Sequence, residues 1–284
     1  MRGVFLFLLT ITIGVLPAQD TLQVMTYNIR NCHAQDGPNK WDKRKHKVYT
    51  LIKNHDPDVL GMQEVLLHQL KGLRATLKDY EYVGVGRNDG KTKGEYSPLF
   101  FKKQKFTLLK SGNFWLSETP AVPGSKSWDA ALTRICTWAL LRINKTGDTV
   151  MVMNTHFDHR GVQAREKSMG IIALQLKALA PGYAYLITGD FNCTPDSKAY
   201  ALLKEELARV QDTYTKAQNH LTAETNTDYG FEVSNKKGSK IDYIFCSPDF
   251  TVPACEIIAD NDGKFYPSDH LPFFSTIILF SVNK

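Results

Sequence analysis

Six apolar runs in this chain end in, carry or follow polar residues that a hydrophobic interior does not accept. Val24-Met25-Thr26-Tyr27 runs into Asn28, and Val59-Leu60-Gly61-Met62-Gln63 into Glu64. Val150-Met151-Val152-Met153-Asn154-Thr155 leads to His156, and Tyr185-Leu186-Ile187-Thr188-Gly189 to Asp190 and Asn192. Asp242 lies inside the run Ile241-Asp242-Tyr243-Ile244-Phe245, and Ser268-Asp269-His270 introduces the last run, from Leu271. Burying an ionised carboxylate without a partner costs several kcal/mol, so these groups need a metal, a histidine or each other. One shared polar site at an end of packed sheets satisfies them all. A lone Asn or Asp at a strand end is ordinarily a turn residue, but this mixture of types is not accounted for by turns alone.

The runs themselves are short, rich in β-branched and aromatic residues, and bounded by Gly, Pro, Asn and Asp, which predicts strands. They fall at residues 23–29, 58–63, 82–86, 97–102, 106–114, 135–143, 149–156, 184–189, 240–247, 254–259 and 271–279. Helical i, i+3, i+4 spacing marks residues 43–54, 66–78, 161–178 and 197–208. Asp196-Ser197 supplies an N-cap after Pro195, and Pro181-Gly182 stops the preceding helix. Many strands with four sizeable helices predict an α/β fold of two packed sheets with helices on the outside, a layered sandwich rather than a doubly wound sheet. No glycine-rich dinucleotide or P-loop fingerprint follows any strand.

The chain has 284 residues without an internal repeat or a linker-like tract, so one domain over residues 20–284 is the economical reading. Residues 1–19 put Arg2 ahead of an apolar run from Val4 to Leu16 and close on Pro17-Ala18, the layout of a secretory signal peptide; a retained N-terminal anchor is the other reading. The expectation is export to the periplasm or the medium, with no membrane span in the mature chain. Cys32, Cys136, Cys193, Cys246 and Cys255 form neither a disulfide framework nor a zinc pattern. Cys246 and Cys255 lie in neighbouring strand-like segments, and buried free thiols are the expected state. The formal charge of +6 becomes +5 without Arg2. It is dispersed rather than drawn into a basic stripe interleaved with aromatics, so no stable nucleic-acid partner is implied, and a monomer is expected.

Taken in order, Thr26-Tyr27-Asn28-Ile29-Arg30, Gln63-Glu64, Asn154-Thr155-His156, Gly189-Asp190-Phe191-Asn192, Lys240-Ile241-Asp242-Tyr243 and Ser268-Asp269-His270 resemble the signature blocks of the endonuclease/exonuclease/phosphatase superfamily, the DNase I-like proteins. The resemblance spans Val24 to the C-terminus and implies a four-layer α/β sandwich of two packed, mainly antiparallel sheets; residues 111–120, Trp128-Asp129-Ala130-Ala131, Arg134 and Asp158-His159-Arg160-Gly161 look like a mainly bacterial, exported branch. It implies that Glu64, with Asn28 nearby and Asp269 completing it, forms a magnesium site, with manganese as the alternative ion. Asp190 then resembles the base that activates water, and Asn192 the residue that positions water or phosphate. His156 and His270 resemble the pair that contacts the scissile phosphate, Asp242 the carboxylate that orients His270, and Glu95 one that orients His156. Arg134 resembles a family arginine that contacts phosphate, against the alternative of a surface salt bridge. Trp115 and Trp128 are candidates for a substrate-pocket wall or for packing, and Asp158 and His159 are placed at the edge of the site.

The implied chemistry is consistent with the residue types. Phosphoester hydrolysis places a hydroxide in line with a leaving oxygen and neutralises charge on the phosphoryl oxygens. Carboxylate and amide oxygens suit a hard divalent cation, and the Cys and clustered His ligands usual for zinc are missing. The resulting expectation is a magnesium-dependent hydrolase of a phosphodiester or phosphomonoester of unspecified substrate. A secreted nuclease acting on DNA or RNA is one alternative. A non-catalytic protein that binds a phosphate ligand on the same scaffold is another, opposed by the presence of Glu64, Asp190, Asp242 and His270.

Overall fold

A run that looks uniformly apolar in sequence becomes a two-faced strand when both of its faces are covered. In the computed structural model, which describes residues 20–280, this occurs five times over. Val24, Val59, Val150, Val152, Leu186 and Ile244 point into the interior between two sheets. Their neighbours Met25 and Leu60 point outward beneath one pair of helices, and Met151, Met153, Ile187 and Phe245 beneath another. The expected signal peptide, residues 1–19, lies outside the described residues. Among the described residues no helix is long and apolar enough to cross a membrane.

The first half of the chain runs β1 (Asp20–Asn28), α1 (Trp41–His55), β2 (Val59–Gln63), α2 (Leu67–Thr76), β3 (Tyr80–Val83), β4 (Leu99–Lys102), β5 (Phe106–Trp115), β6 (Ile135–Ile143) and β7 (Thr149–His156). It continues with α3 (Val162–Leu179), β8 (Ala184–Asp190), α4 (Lys198–Glu206), β9 (Gln211–Asp212), α5 (Thr213–Lys216), β10 (Asn219–His220), β11 (Asp242–Cys246), β12 (Phe250–Ile257) and β13 (Phe273–Leu279). One sheet has the order β10-β12-β13-β1-β2-β4-β3 and the other β5-β6-β7-β8-β11-β9. Pairing is antiparallel except for β1 with β2, β7 with β8 and β10 with β12. With α1 and α2 on one outer face and α3 and α4 on the other, this is the four-layer α/β sandwich.

Two strands differ from expectation for local reasons. The strand expected at 82–86 ends at Val83, because Gly84 takes a φ of 135°, where a side chain would be strained and its Cβ would crowd Pro98. The strand expected at 254–259 starts earlier, at Phe250, and its register shifts between Thr251 and Ala254, around Pro253, which has no N–H to donate. Ser197 caps α4 as expected, accepting from the Tyr200 N–H at 3.2 Å. All five cysteines are free thiols.

Near the functional end the sheets are bolted together by polar groups. Gln63 Nε2 donates to Asn154 Oδ1 (2.7 Å) and Thr26 Oγ1 (3.0 Å), and Asn154 Nδ2 donates to the Met62 carbonyl (2.7 Å). Thr188 Oγ1 donates to Asn154 Oδ1 at 3.0 Å. Gly61 makes this approach possible: a Cβ there would lie 2.1 Å from Thr188 Oγ1 and 2.5 Å from Asn154 Oδ1. These fully buried amides tie the two sheets together, while Gln63 Oε1 has no hydrogen-bond partner among the described residues.

Candidate active site

Strand register alone gathers most of the site. Asn28 pairs with Gln63, the residue before Glu64. His156 pairs with Asp190 across β7 and β8, and Asp190 with Asp242 across β8 and β11. The chain turns sharply just past these ends: Arg30, Glu64 and Asn192 have φ of 54°, 60° and 48°. A left-handed non-glycine residue costs about 1–2 kcal/mol, so the turns need support. They receive it from the site itself. Asn28 Oδ1 accepts from the Arg30 N–H, and Asp190 Oδ1 from the Asn192 N–H, both at 3.0 Å. Buried Arg44 donates to the carbonyls of Ile29 (2.7 Å), Arg30 (2.9 Å) and Pro267 (3.1 Å), tying the loop after β1 to the one that carries Asp269.

The resulting cleft, about 350 Å³, is lined by Glu64, Glu95, Arg134, His156, His159, Asp190, Asn192, Asp269 and His270, among others. At its centre Asp190 Oδ2 accepts from Asn28 Nδ2 at 3.0 Å and lies 3.4 Å from His156 Nε2 and 3.9 Å from His270 Nε2. His270 Nδ1 donates to Asp242 Oδ2 at 2.9 Å. Asp242 is itself fixed by its backbone: Thr227 Oγ1 accepts its N–H at 3.1 Å, and Lys240 Nζ donates to its carbonyl at 3.0 Å. Asn192 Nδ2 donates to the Phe157 carbonyl at 3.0 Å.

Burial and charge give the two histidines opposite character. His270 loses by burial, but the charge and hydrogen bond of Asp242 and the charge of Asp190 more than restore it, holding the ring well above its ordinary value and protonated. Burial together with the charges of Arg134 and Arg87 holds His156 well below its ordinary value and neutral. Burial and then the charge of Asp242 push the Asp190 carboxyl up to about 7, against the opposing pull of His270 and Asn28.

A second carboxylate group lies beside the first. Glu64 Oε2 accepts from both the N–H and the Nδ2 of Asn31 at 3.0 Å, and Glu64 Oε1 from Asn28 Nδ2 at 3.2 Å. Burial raises Glu64, but Asn31 with the charges of His270 and Arg30 outweighs it, and the group stays below its ordinary value. Asp269, 3.5 Å from Arg30 Nε, is raised by burial and by the charge of Glu64. Part-buried carboxylates that repel one another fit a hard divalent cation, which Glu64 and Asp269 would hold with Asp190 beside them. Asp190, Asp242 and His270 also offer ligand atoms within 4.8 Å of one another. In that trio His270 and Asp242 already satisfy each other, so it reads as an orienting pair behind a base rather than a metal cage.

Several sequence expectations need correction. Asn28 turns its amide nitrogen, not its oxygen, toward Glu64 and Asp190, so in this arrangement it spaces the carboxylates. Glu95 does not stand behind His156: it bonds to Arg87 Nη1 and, at 3.4 Å, to Asn31 Nδ2, while His156 Nδ1 has no hydrogen-bond partner among the described residues. Trp115 is 4% exposed and does not line the cleft; its indole N–H donates to the Arg87 carbonyl at 2.6 Å. Asp158 is buried and acts as a brace. Its Oδ1 accepts from the N–H groups of Arg160 (3.0 Å) and Gly161 (2.7 Å), and its Oδ2 from that of Leu132 (3.0 Å). Arg134 is buried, not a surface arginine, with Nε 3.4 Å from Asp158 Oδ2 and Nη2 donating to His159 Nδ1 at 3.0 Å. Asn31, Arg87 and Asp228 were not anticipated. Asn31 directly follows the Asn28 block, the one sequence signal that marks it; Arg87 and Asp228, the latter lining the cleft, lie in loops without periodicity.

This end-of-sandwich cleft of carboxylates and imidazoles defines a phosphoesterase, and a model of the Endonuclease/Exonuclease/phosphatase family matches residues 25–270. The chain belongs to that family. A solved endonuclease/exonuclease/phosphatase structure from Bacteroides vulgatus is 40% identical, with a TM-score of 0.85, covering 92% of this chain and 100% of that one. A mannosyl-6-phosphatase of Bacteroides thetaiotaomicron is 36% identical, with a TM-score of 0.85, covering 91% of this chain and 100% of that one. Nocturnin of Drosophila melanogaster is 25% identical over 81% of this chain. The chain spans 31% and 41% of the length of the first curated relatives it matches.

Proposed function

We propose that the chain is an exported, magnesium-dependent hydrolase of phosphate esters carried by sugars. The observation that carries the reading is the placement of Asp190 between a neutral and a protonated imidazole, 3.4 Å and 3.9 Å away, beside the carboxylates of Glu64 and Asp269. The sugar assignment is supported by the likeness to the mannosyl-6-phosphatase over nearly the full length of both chains. Export is supported by the leader-like residues 1–19.

In this reading Asp190, fixed by Asn28 and the Asn192 N–H, takes the proton from the attacking water. His270, protonated and aimed by Asp242, donates its Nε2 hydrogen to a phosphoryl oxygen, and neutral His156 donates to another. Asn192, locked by Phe157 and Asp190, orients water or phosphate. Glu64 and Asp269 would hold a divalent ion, which would supply charge neutralisation at the phosphoryl oxygens. An all-oxygen donor set suits magnesium, with manganese as the alternative ion.

The test is a substrate panel on the purified mature protein: mannose 6-phosphate, p-nitrophenyl phosphate, bis-p-nitrophenyl phosphate and duplex and single-stranded DNA, with and without chelator. Sugar phosphate turnover well above that of DNA, abolished by chelation and restored best by magnesium, is expected. Preferential cleavage of DNA returns the protein to the nuclease reading, and activity that survives exhaustive chelation removes the metal from it.

A further inference from the structure

Of the carboxylates that line the cleft, all but that of Asp228 are held by protein donors. Glu64 is held by Asn28 and Asn31, Glu95 by Arg87 and Asn31, Asp190 by Asn28 and the Asn192 N–H, and Asp269 by Ser268 and Arg30. The side chain of Asp228, half-buried in the same lining, has no hydrogen-bond or ion-pair partner among the described residues. Its backbone, in contrast, is fixed on both edges. The Asp228 N–H donates to the Ser239 carbonyl at 3.0 Å, and the Asp228 carbonyl accepts from the Ser239 N–H at 3.1 Å. On the other edge Asp228 forms an antiparallel bridge with His270, framed by the Leu271 N–H on the Thr227 carbonyl (2.7 Å) and the Tyr229 N–H on the Asp269 carbonyl (3.2 Å). Residues opposed in this way, between the hydrogen bonds rather than joined by them, carry their side chains on one face and close together. His270 turns Nε2 toward Asp190 in the cleft, so the Asp228 carboxylate stands beside that ring.

No hydrolytic step uses this group: Asp190 is the base, Glu64 and Asp269 face the cation, and Asp242 orients His270. An ionised carboxylate only accepts hydrogen bonds, and against a phosphoryl oxygen it would meet like charge. Its complement is therefore a donor on the part of the substrate that lies just past the phosphoryl group. Resting on the reading of the chain as a hydrolase of sugar phosphates, we propose that Asp228 is a specificity-determining residue that accepts a hydroxyl of the sugar close to the ester bond. Because the backbone pairing aims the carboxylate before the sugar arrives, little freedom is lost on binding. An ester whose alcohol has no hydroxyl leaves Asp228 to water alone, so the contact separates sugar phosphates from simple alkyl and aryl phosphates.

The experiment pairs binding with turnover, and since the Asp228 side chain holds nothing in the fold, Asp228→Ala should fold as the wild type does. Calorimetry with magnesium present compares mannose 6-phosphonate, in which a methylene replaces the ester oxygen, with propylphosphonate, which has no hydroxyl. The wild-type protein should bind the sugar phosphonate at least about tenfold more tightly, the worth of one charge-assisted hydrogen bond, and Asp228→Ala should reduce that gap to about threefold or less. Asp228→Asn, which keeps an acceptor oxygen without the charge, should fall between them. In parallel Asp228→Ala should lower kcat/KM at least about tenfold more for mannose 6-phosphate than for p-nitrophenyl phosphate. Equal losses on the two esters, or a phosphonate gap that persists in Asp228→Ala, overturn the assignment. A higher magnesium requirement in Asp228→Ala makes the residue a cation ligand and overturns it too, as does tighter Asp228-dependent binding of 2-aminoethylphosphonate, which would make it an ammonium site. If no ester is hydrolysed but the Asp228-dependent preference for the sugar phosphonate is present, the hydrolase reading falls and the hydroxyl contact stands. If mannose 6-phosphate is hydrolysed preferentially and Asp228→Ala leaves that preference in place, Asp228 falls alone.

Discussion

Asp242 Oδ2 and His270 Nδ1 are joined at 2.9 Å, and this bond fixes which nitrogen of His270 is free to face Asp190. The pair is buried, with Asp242 at 1% and His270 at 7% exposure, so the charge on the ring depends on its carboxylate rather than on solvent. Asp242→Asn removes that charge while keeping the shape. Its expected consequences are a fall in kcat of about a hundredfold and a His270 ring that titrates lower by NMR. An unchanged His270 titration would mean that Asp242 does not set the ring's protonation.

The Asp190 carboxyl ties the base to the cation. In metal-free protein it should titrate near 7, protonating as the pH falls below that point. A divalent ion alongside favours the carboxylate, so adding magnesium should move the titration downward. Carboxyl-carbon NMR with and without magnesium reads both values; an Asp190 titration that magnesium leaves in place would separate this residue from the cation site.

His156 gives a stability prediction of definite sign. Its ring is held neutral in the fold and has an ordinary value of 6.5 when unfolded, so the unfolded chain binds the extra proton first. Its contribution is intact above that value and is lost as the pH falls below it, by at most about 1.4 kcal/mol per pH unit. His156→Gln should therefore lose less stability than wild type between neutral and mildly acidic pH. Chemical denaturation with chelator present measures the difference, and parallel pH dependences would contradict a neutral buried His156.

Gly61 is where the two sheets come closest among their polar groups, and the space for a Cβ is already filled by Thr188 and Asn154 side chains. Gly61→Ala should destabilise by about 1–3 kcal/mol through overpacking and loss of the Asn154 bonds. A midpoint unchanged in denaturant would show that the sheets can separate there at no cost.

What the sequence disclosed followed from periodicity and strand ends. Asn28, Glu64, His156, Asp190 and Asp242 are legible because each interrupts or closes a strand, and strand register then brings them side by side. The surroundings of Glu95 are not legible because they depend on the irregular chain around residues 84–98, where Gly84, Gly90 and Gly94 all take positive φ and no repeat fixes direction; Trp115, at the end of β5, takes the packing rather than the pocket-wall reading. Asp158 was legible as near the site but not as a brace, since its partners Leu132 and Arg134 come from a separate loop. Short elements such as β9 and β10, two residues each, carry no periodicity.

Asp190, brought by the fold to the meeting point of both sheets, is the proposed base of a metal-assisted hydrolysis. Steady-state kinetics of Asp190→Asn on p-nitrophenyl phosphate at saturating magnesium tests it most directly. The expected outcome is kcat reduced by at least about a hundredfold, with KM changed far less, as loss of a general base typically gives. Turnover at the wild-type rate would contradict it.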